Sequence, residues 1–193
     1  MKNLLILIAT ILSLTSTAQT AKEIEMVNLV NQVRTNPKSF VPVVEAYITE
    51  VSTPWVIIIN GVSHKGSRKI DPALVSELKQ LIVFLNTVKP VSELKMSSVL
   101  YPITKQFVTY LDSTKQVGHV GPNGQSLLQR TKSTGLTCGE NSTVGDDANH
   151  AMVLLLLDFK GKTKGHRDNI FRVAYTKISV ANSGAYWVQD FAL

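Results

Sequence analysis

Cysteine is nearly missing: Cys138 stands alone among 193 residues, so no internal disulfide can form. A domain without such a staple must stand on its own apolar core, and 193 residues with 44% hydrophobic content suffice for one such domain. Charged residues are sparse at 18%, which excludes a chain disordered by charge. No apolar stretch reaches the about 20 residues that a spanning helix needs. There is no internal repeat. No serine or cysteine sits in a recognisable nucleophile motif, and no aromatic residues interleave with the basic clusters, so nucleic-acid binding by stacking is not expected.

What is present begins with a leader. Lys2 precedes the apolar run from Leu4 to Leu12, and Ser16-Thr17-Ala18 supplies small residues for cleavage before Gln19. Residues 1–18 therefore read as a secretory signal peptide, with export to the periplasm or the exterior. No cysteine follows the run, so neither a lipid anchor on cysteine nor a stable membrane anchor is expected. The balance is basic, with a formal charge of +6 and a pI near 9.4. That permits association with anionic surfaces and specifies none. Cys138 has two readings, a small buried hydrophobe or a thiol activated beside Glu140.

Periodicity gives an α+β chain. Apolar residues at Ile24, Val27, Leu29, Val30 and Val33 predict a helix that Asn36-Pro37 ends. Arg34 at its end reads as a surface cation. Trp55 to Ile59 reads as a strand, and residues 62–70, with His64, as a polar hairpin or loop. Asp71-Pro72 opens a helix as cap and first residue. A further helix is expected from Ser92 to Leu111, with a kink or a break near Ser98–Leu100 because of Pro102. A short helix over Gln125 to Lys132, an extended segment over Thr137 to Val144, and a helix from Asp146 or Asp147 to Leu157 follow. Arg167 to Phe171 is one helical turn. Residues 177–182 and 186–192 form a closing hairpin across Ser183-Gly184, with Tyr186, Trp187 and Phe191 as sheet core.

Three loop motifs carry the titratable groups. They are Gly118-His119-Val120-Gly121-Pro122-Asn123-Gly124, Cys138-Gly139-Glu140-Asn141, and Gly165-His166-Arg167-Asp168-Asn169-Ile170. Two imidazoles and a carboxylate form a possible metal set. Their spacings match no local zinc signature, and hydrogen-bonded loop histidines are the alternative. His150 reads as a helix-surface or core histidine. Asn141-Ser142-Thr143 is formally a glycosylation sequon. Lys160, Lys162, Lys164 and Arg167 either steer an anionic ligand or form a solvated turn.

In this order, with the apolar helix between them and the final strand Tyr186 to Ala192, these motifs resemble the CAP superfamily of cysteine-rich secretory, antigen 5 and pathogenesis-related proteins, in its bacterial SCP-like branch. The resemblance covers residues 24–193 and weakens over 48–90, an insertion of unassigned role; residues 19–193 then form a single domain. It implies an α-β-α sandwich with a small antiparallel sheet between helical layers. It implies a cavity of two histidines and two acids, matched by His119, His166 and Glu140; no Glu occupies the expected helix, and Asp158 at its end either supplies the second acid or serves as a cap or as the partner of a lysine. It further implies that His119, His166 and Glu140 hold a divalent cation, zinc foremost, and that the domain binds an extracellular ligand, anionic if the basic turn steers it. With a metal, the same four residues are candidates for hydrolysis of peptide, glycan or phosphodiester; without one, Glu140 and a histidine form an acid–base pair. A lipid- or sterol-binding role ranks last, and a conventional enzyme is less favoured than a binding protein.

Overall fold

The computed structural model describes residues 18–53, 56–59, 62–65, 71–159 and 164–193. The expected signal peptide lies outside them except for Ala18, as do Trp55, Lys160 and Lys162. The helices are α1 (Ala21–Thr35), α2 (Val41–Ser52), α3 (Pro72–Thr87), α4 (Tyr101–Thr114), α5 (Leu127–Thr131), α6 (Ala148–Leu157) and α7 (Gly165–Phe171). The strands are β1 (Val56–Ile59), β2 (Val62–Lys65), β3 (Lys95–Met96), β4 (Cys138–Val144), β5 (Lys177–Ser183) and β6 (Tyr186–Ala192). β1 and β2 make a separate antiparallel hairpin, and the main sheet runs β3-β5-β6-β4.

The class is α+β as expected, with one difference in the sheet. β4, β6 and β5 are antiparallel, whereas the two-residue β3 joins β5 in parallel. β3 falls where a helix from Ser92 was expected. The helical turn instead begins at Tyr101, with Pro102 in its first turn. There proline's missing N–H removes no helix bond, so of the two expectations, kink or break, the chain takes the break and Pro102 helps start the helix.

Strand alternation sends side chains to two faces. Ile178, Val180, Trp187 and Phe191 pack with Met26, Val30, Met152 and Leu156 of α1 and α6. Ala181 and Val188 face the other way, onto Phe107, Val108 and Leu111 of α4. Helices therefore cover both faces of the sheet. α6 is apolar all round because α1, α2 and α3 surround it on its far side.

Two buried charges tie the layers together. Glu23, in the first turn of α1, closes a capping box with Thr20. It also accepts from Tyr101 Oη (2.9 Å), Lys105 Nζ (2.9 Å) and Asn182 N (2.9 Å). Burial raises its pKa, but these hydrogen bonds outweigh that and hold it below the usual 4.5. A depressed carboxylate stabilises the fold above its ordinary pKa and ceases to do so as pH falls through its folded value. Urea midpoints between pH 6 and 3 should thus fall more steeply in the wild type than in Glu23→Gln; parallel curves would contradict this. Arg34 is not the expected surface cation. It is fully buried and donates to the carbonyls of Ser92 (2.8 Å), Ile170 and Arg172 (3.2 Å), clasping the end of α7. Burial lowers its pKa to about 10, which leaves it charged at neutral pH.

Candidate functional site

The site is built on β4, at the edge of the main sheet. Gly139, Glu140 and Asn141 are consecutive strand residues, so Glu140 and Asn141 reach opposite faces. Glu140 points to the α4 side, where its Oε1 lies 3.0 Å from His119 Nδ1. Asn141 points to the other side and donates to the carbonyl of His166 (3.1 Å) and to Gln189 Oε1 (3.0 Å). Asn169 donates to Asn141 Oδ1 (2.9 Å) and to the Glu140 carbonyl (3.2 Å). One strand residue thus positions each histidine from one side of the sheet. Asn141 is fully buried, which removes the sequon reading.

Asp158 completes the set. It caps α6 in the left-handed conformation (φ 51°), which Asp tolerates better than most residues. Its Oδ2 accepts from His166 N (3.0 Å) and its Oδ1 lies 2.9 Å from His166 Nδ1. Each imidazole therefore has a carboxylate at Nδ1. A carboxylate acceptor at Nδ1 favours, in the neutral imidazole, the tautomer with its proton there and its lone pair on Nε2. The ring centroids are 6.3 Å apart. The two histidines, Glu140, Asp158, Asp168 and Asn169 line a cavity of about 440 Å³. His119, Glu140, Asp158 and His166, widely spaced in sequence, all converge on it.

Two residues that sequence reasoning missed stand behind Glu140. Arg130, from α5, donates from Nη2 to Glu140 Oε2 and from Nη1 to the carbonyls of His119 (2.9 Å) and Gln125 (3.0 Å). Its guanidinium carbon lies 3.7 Å from the centroid of the Phe107 ring, a cation–π contact. Asp190 is directly opposite Glu140 in the β4–β6 register and accepts from Thr104 Oγ1 (2.7 Å). Burial, then the neighbouring Glu140 charge, pushes Asp190 well above the usual carboxylate range. Arg130 falls in the short helix expected over Gln125 to Lys132 and Asp190 in the closing strand, and no local motif singles out either residue.

This geometry changes the expectation for Glu140 as a metal ligand. Both its oxygens are engaged, by His119 and by Arg130, and among the described residues no three His, Cys, Asp or Glu side chains are arranged to hold a metal ion. Carboxylate-to-imidazole bonds are, however, the usual outer support of metal-bound histidines. The donor chemistry here is two imidazoles, each backed by a carboxylate, Glu140 and Asp158.

The other candidates stand apart. Lys164 bonds Glu77 (2.8 Å) and the carbonyls of Leu157 and Asp158. Arg167 donates to the Leu156 carbonyl and stacks on Phe84. Neither is a free steering charge. His150 lies in another groove, against Tyr47 and Asp146. Burial raises the pKa of Cys138, which keeps it a thiol and disfavours the reactive reading.

No family model and no curated protein matches the chain. Solved structures similar to it include three bacterial proteins. One is an extracellular SCP-domain protein from Bacillus anthracis str. Ames, at 17% identity and TM-score 0.47, over 61% of this chain and 40% of that one. An outer surface protein from Borrelia burgdorferi has 18% identity and TM-score 0.45, over 68% and 98%. A cysteine-rich secretory protein from Staphylococcus aureus subsp. aureus Mu50 has 15% identity and TM-score 0.40, over 68% and 42%. The chain thus spans well under half of the first and third. Likenesses at this level establish no shared function.

Proposed function

We propose that this chain is an exported CAP-type binding domain whose cleft takes a divalent cation, zinc foremost, on His119 and His166. The observation that carries this reading is the pair of carboxylates at the two Nδ1 atoms, which leaves Nε2 as the donor on both rings. Two imidazoles leave the remaining coordination positions to solvent or to an extracellular ligand. Near the expected cleavage point, Thr20 caps α1 and Gln19 bonds the Val180 carbonyl (3.1 Å). Cleavage before Gln19 would leave these contacts in place. Among the described residues no helix is long and apolar enough to cross a membrane.

Binding is favoured over hydrolysis for a specific reason. A bound cation would supply Lewis acidity and a more acidic water. Of the carboxylates that could receive a proton, Glu140 is already held by Arg130 and His119, and Asp158 by His166.

¹⁵N-histidine spectra during zinc titration test the reading. Nε2 of both His119 and His166 should shift on metal binding while Nδ1 stays protonated. Metal on Nδ1, or on one ring alone, would overturn it. Asp158→Asn should weaken zinc binding by about 10–100-fold, the usual cost of losing such a support. An unchanged affinity would remove Asp158 from the site.

A further inference from the structure

A groove at the far end of α6 plays no part in the His119–His166 cleft. Asp158 closes α6 at that cleft, and Asp147 opens the helix roughly 16 Å away, at 1.5 Å per helical residue. There a cavity of about 420 Å³ lies between two helical stripes. On α2 the stripe is Val43, Ala46, Tyr47 and Glu50, spaced at i, i+3, i+4 and i+7, with Pro42 beside it. On α6 it is Asn149, His150 and Val153.

Apolar surface makes most of the wall. The rings of Tyr47 and His150 stand 5.4 Å apart, tilted by 38°. The charged lining residues are both acids, Glu50 and Asp147, and both are exposed. Among the described residues no Lys or Arg lines the groove. A third acid, Asp146, has Oδ2 3.5 Å from His150 Nδ1. An acid-only rim runs against the charge of the chain, which is +6. The first turn of α6 would by itself favour an anion, but Asp147 already takes that place: its Oδ1 accepts from His150 N (2.8 Å).

We propose that this groove binds a small organic cation, an ammonium group on an aliphatic or aromatic body. The body lies on the Val43, Ala46 and Val153 wall, and the ammonium takes the rim of Glu50 and Asp147, where the face of the Tyr47 ring adds a cation–π attraction. An anion of any kind would meet two carboxylates and no base. A purely apolar occupant would take water from those carboxylates and return no partner, which costs free energy. A neutral sugar would find the rings and the acids, but would set hydroxyls against the aliphatic wall. The volume falls in the range of about 300–1,000 Å³ that small-molecule sites occupy. The site does not depend on the cation reading of the His119–His166 cleft.

The test is methyl and aromatic NMR on the purified protein at neutral pH, titrated with three probes that share one body and differ in charge: phenethylammonium, 2-phenylethanol and 3-phenylpropanoate. Methyl glucoside is the fourth. Phenethylammonium should saturate, shift the methyls of Val43 and Val153 and the rings of Tyr47 and His150, and weaken as salt is raised. It should bind at least about fivefold more tightly than the alcohol, since each part-exposed ion pair contributes about two- to fivefold. The propanoate and the glucoside should not saturate. Glu50→Gln/Asp147→Asn should erase the preference for the ammonium over the alcohol, and asparagine keeps the cap on α6. Equal affinity for ammonium and alcohol in the wild type, a preference that survives in the double variant, shifts located at the His119–His166 cleft, or tighter binding of the propanoate or the glucoside would overturn the site.

Discussion

Arg130→Ala should cost about 3–5 kcal/mol of folding stability, the usual consequence of removing one partner from a buried ion pair. Both side chains are out of solvent, Arg130 at 6% and Glu140 at 2% exposure. The variant leaves Glu140 beside buried Asp190 without its guanidinium partner, and strips donors from the His119 and Gln125 carbonyls. Arg130→Lys should fall between, since lysine restores the charge but not the planar fork. Arg130→Ala/Glu140→Gln should be less destabilised than the sum of the single variants, because the stranded charge is gone. Urea unfolding of the four proteins measures this. A loss below 1 kcal/mol for Arg130→Ala, or strict additivity, would mean that the pair does not organise the site.

Gly139→Ala is the second large effect. An added Cβ would lie 2.1 Å from the Tyr175 hydroxyl and 3.1 Å from Asn169 Oδ1. Tyr175 cannot easily yield, because it is buried with its ring stacked on Phe191 (5.5 Å). Asn169 is the residue that links Glu140 to Asn141. Overpacking of this kind costs about 1–3 kcal/mol, and thus about 2–12 °C in melting temperature for a chain of this size. Adding Tyr175→Phe should recover part of the loss. Gly118→Ala, whose Cβ would meet nothing within 4 Å, should stay within about 0.5 kcal/mol. Equal losses at the two glycines would show that backbone freedom, not the tyrosine, requires Gly139.

Much of this was legible in the residues. Asn36-Pro37 ends α1, Asp71 caps α3 with Pro72 in its first turn, and Gly184 turns the closing hairpin in the left-handed conformation. These are local signals, carried by proline, capping oxygens and glycine. His119, Glu140 and His166 were readable as a group because each sits in a distinct loop motif. What was not legible depends on long-range packing. No element was expected over Val41–Ser52, where a helix packs on α3 and α6. The helix expected from Ser92 yields to β3, whose pairing with β5 is not visible in its own few residues. Arg34, Arg130 and Asp190 are charged residues of ordinary local context. Their burial follows only from which helices cover which face of the sheet.

The most direct measurement is zinc calorimetry on the wild type at neutral pH beside His119→Ala, His166→Ala and the double variant. If both Nε2 atoms share one cation, the wild type binds one zinc per chain, each single variant weakens it strongly, and the double variant binds none. Wild-type binding that survives the double substitution, or no binding at all, would contradict a cation site at this cleft.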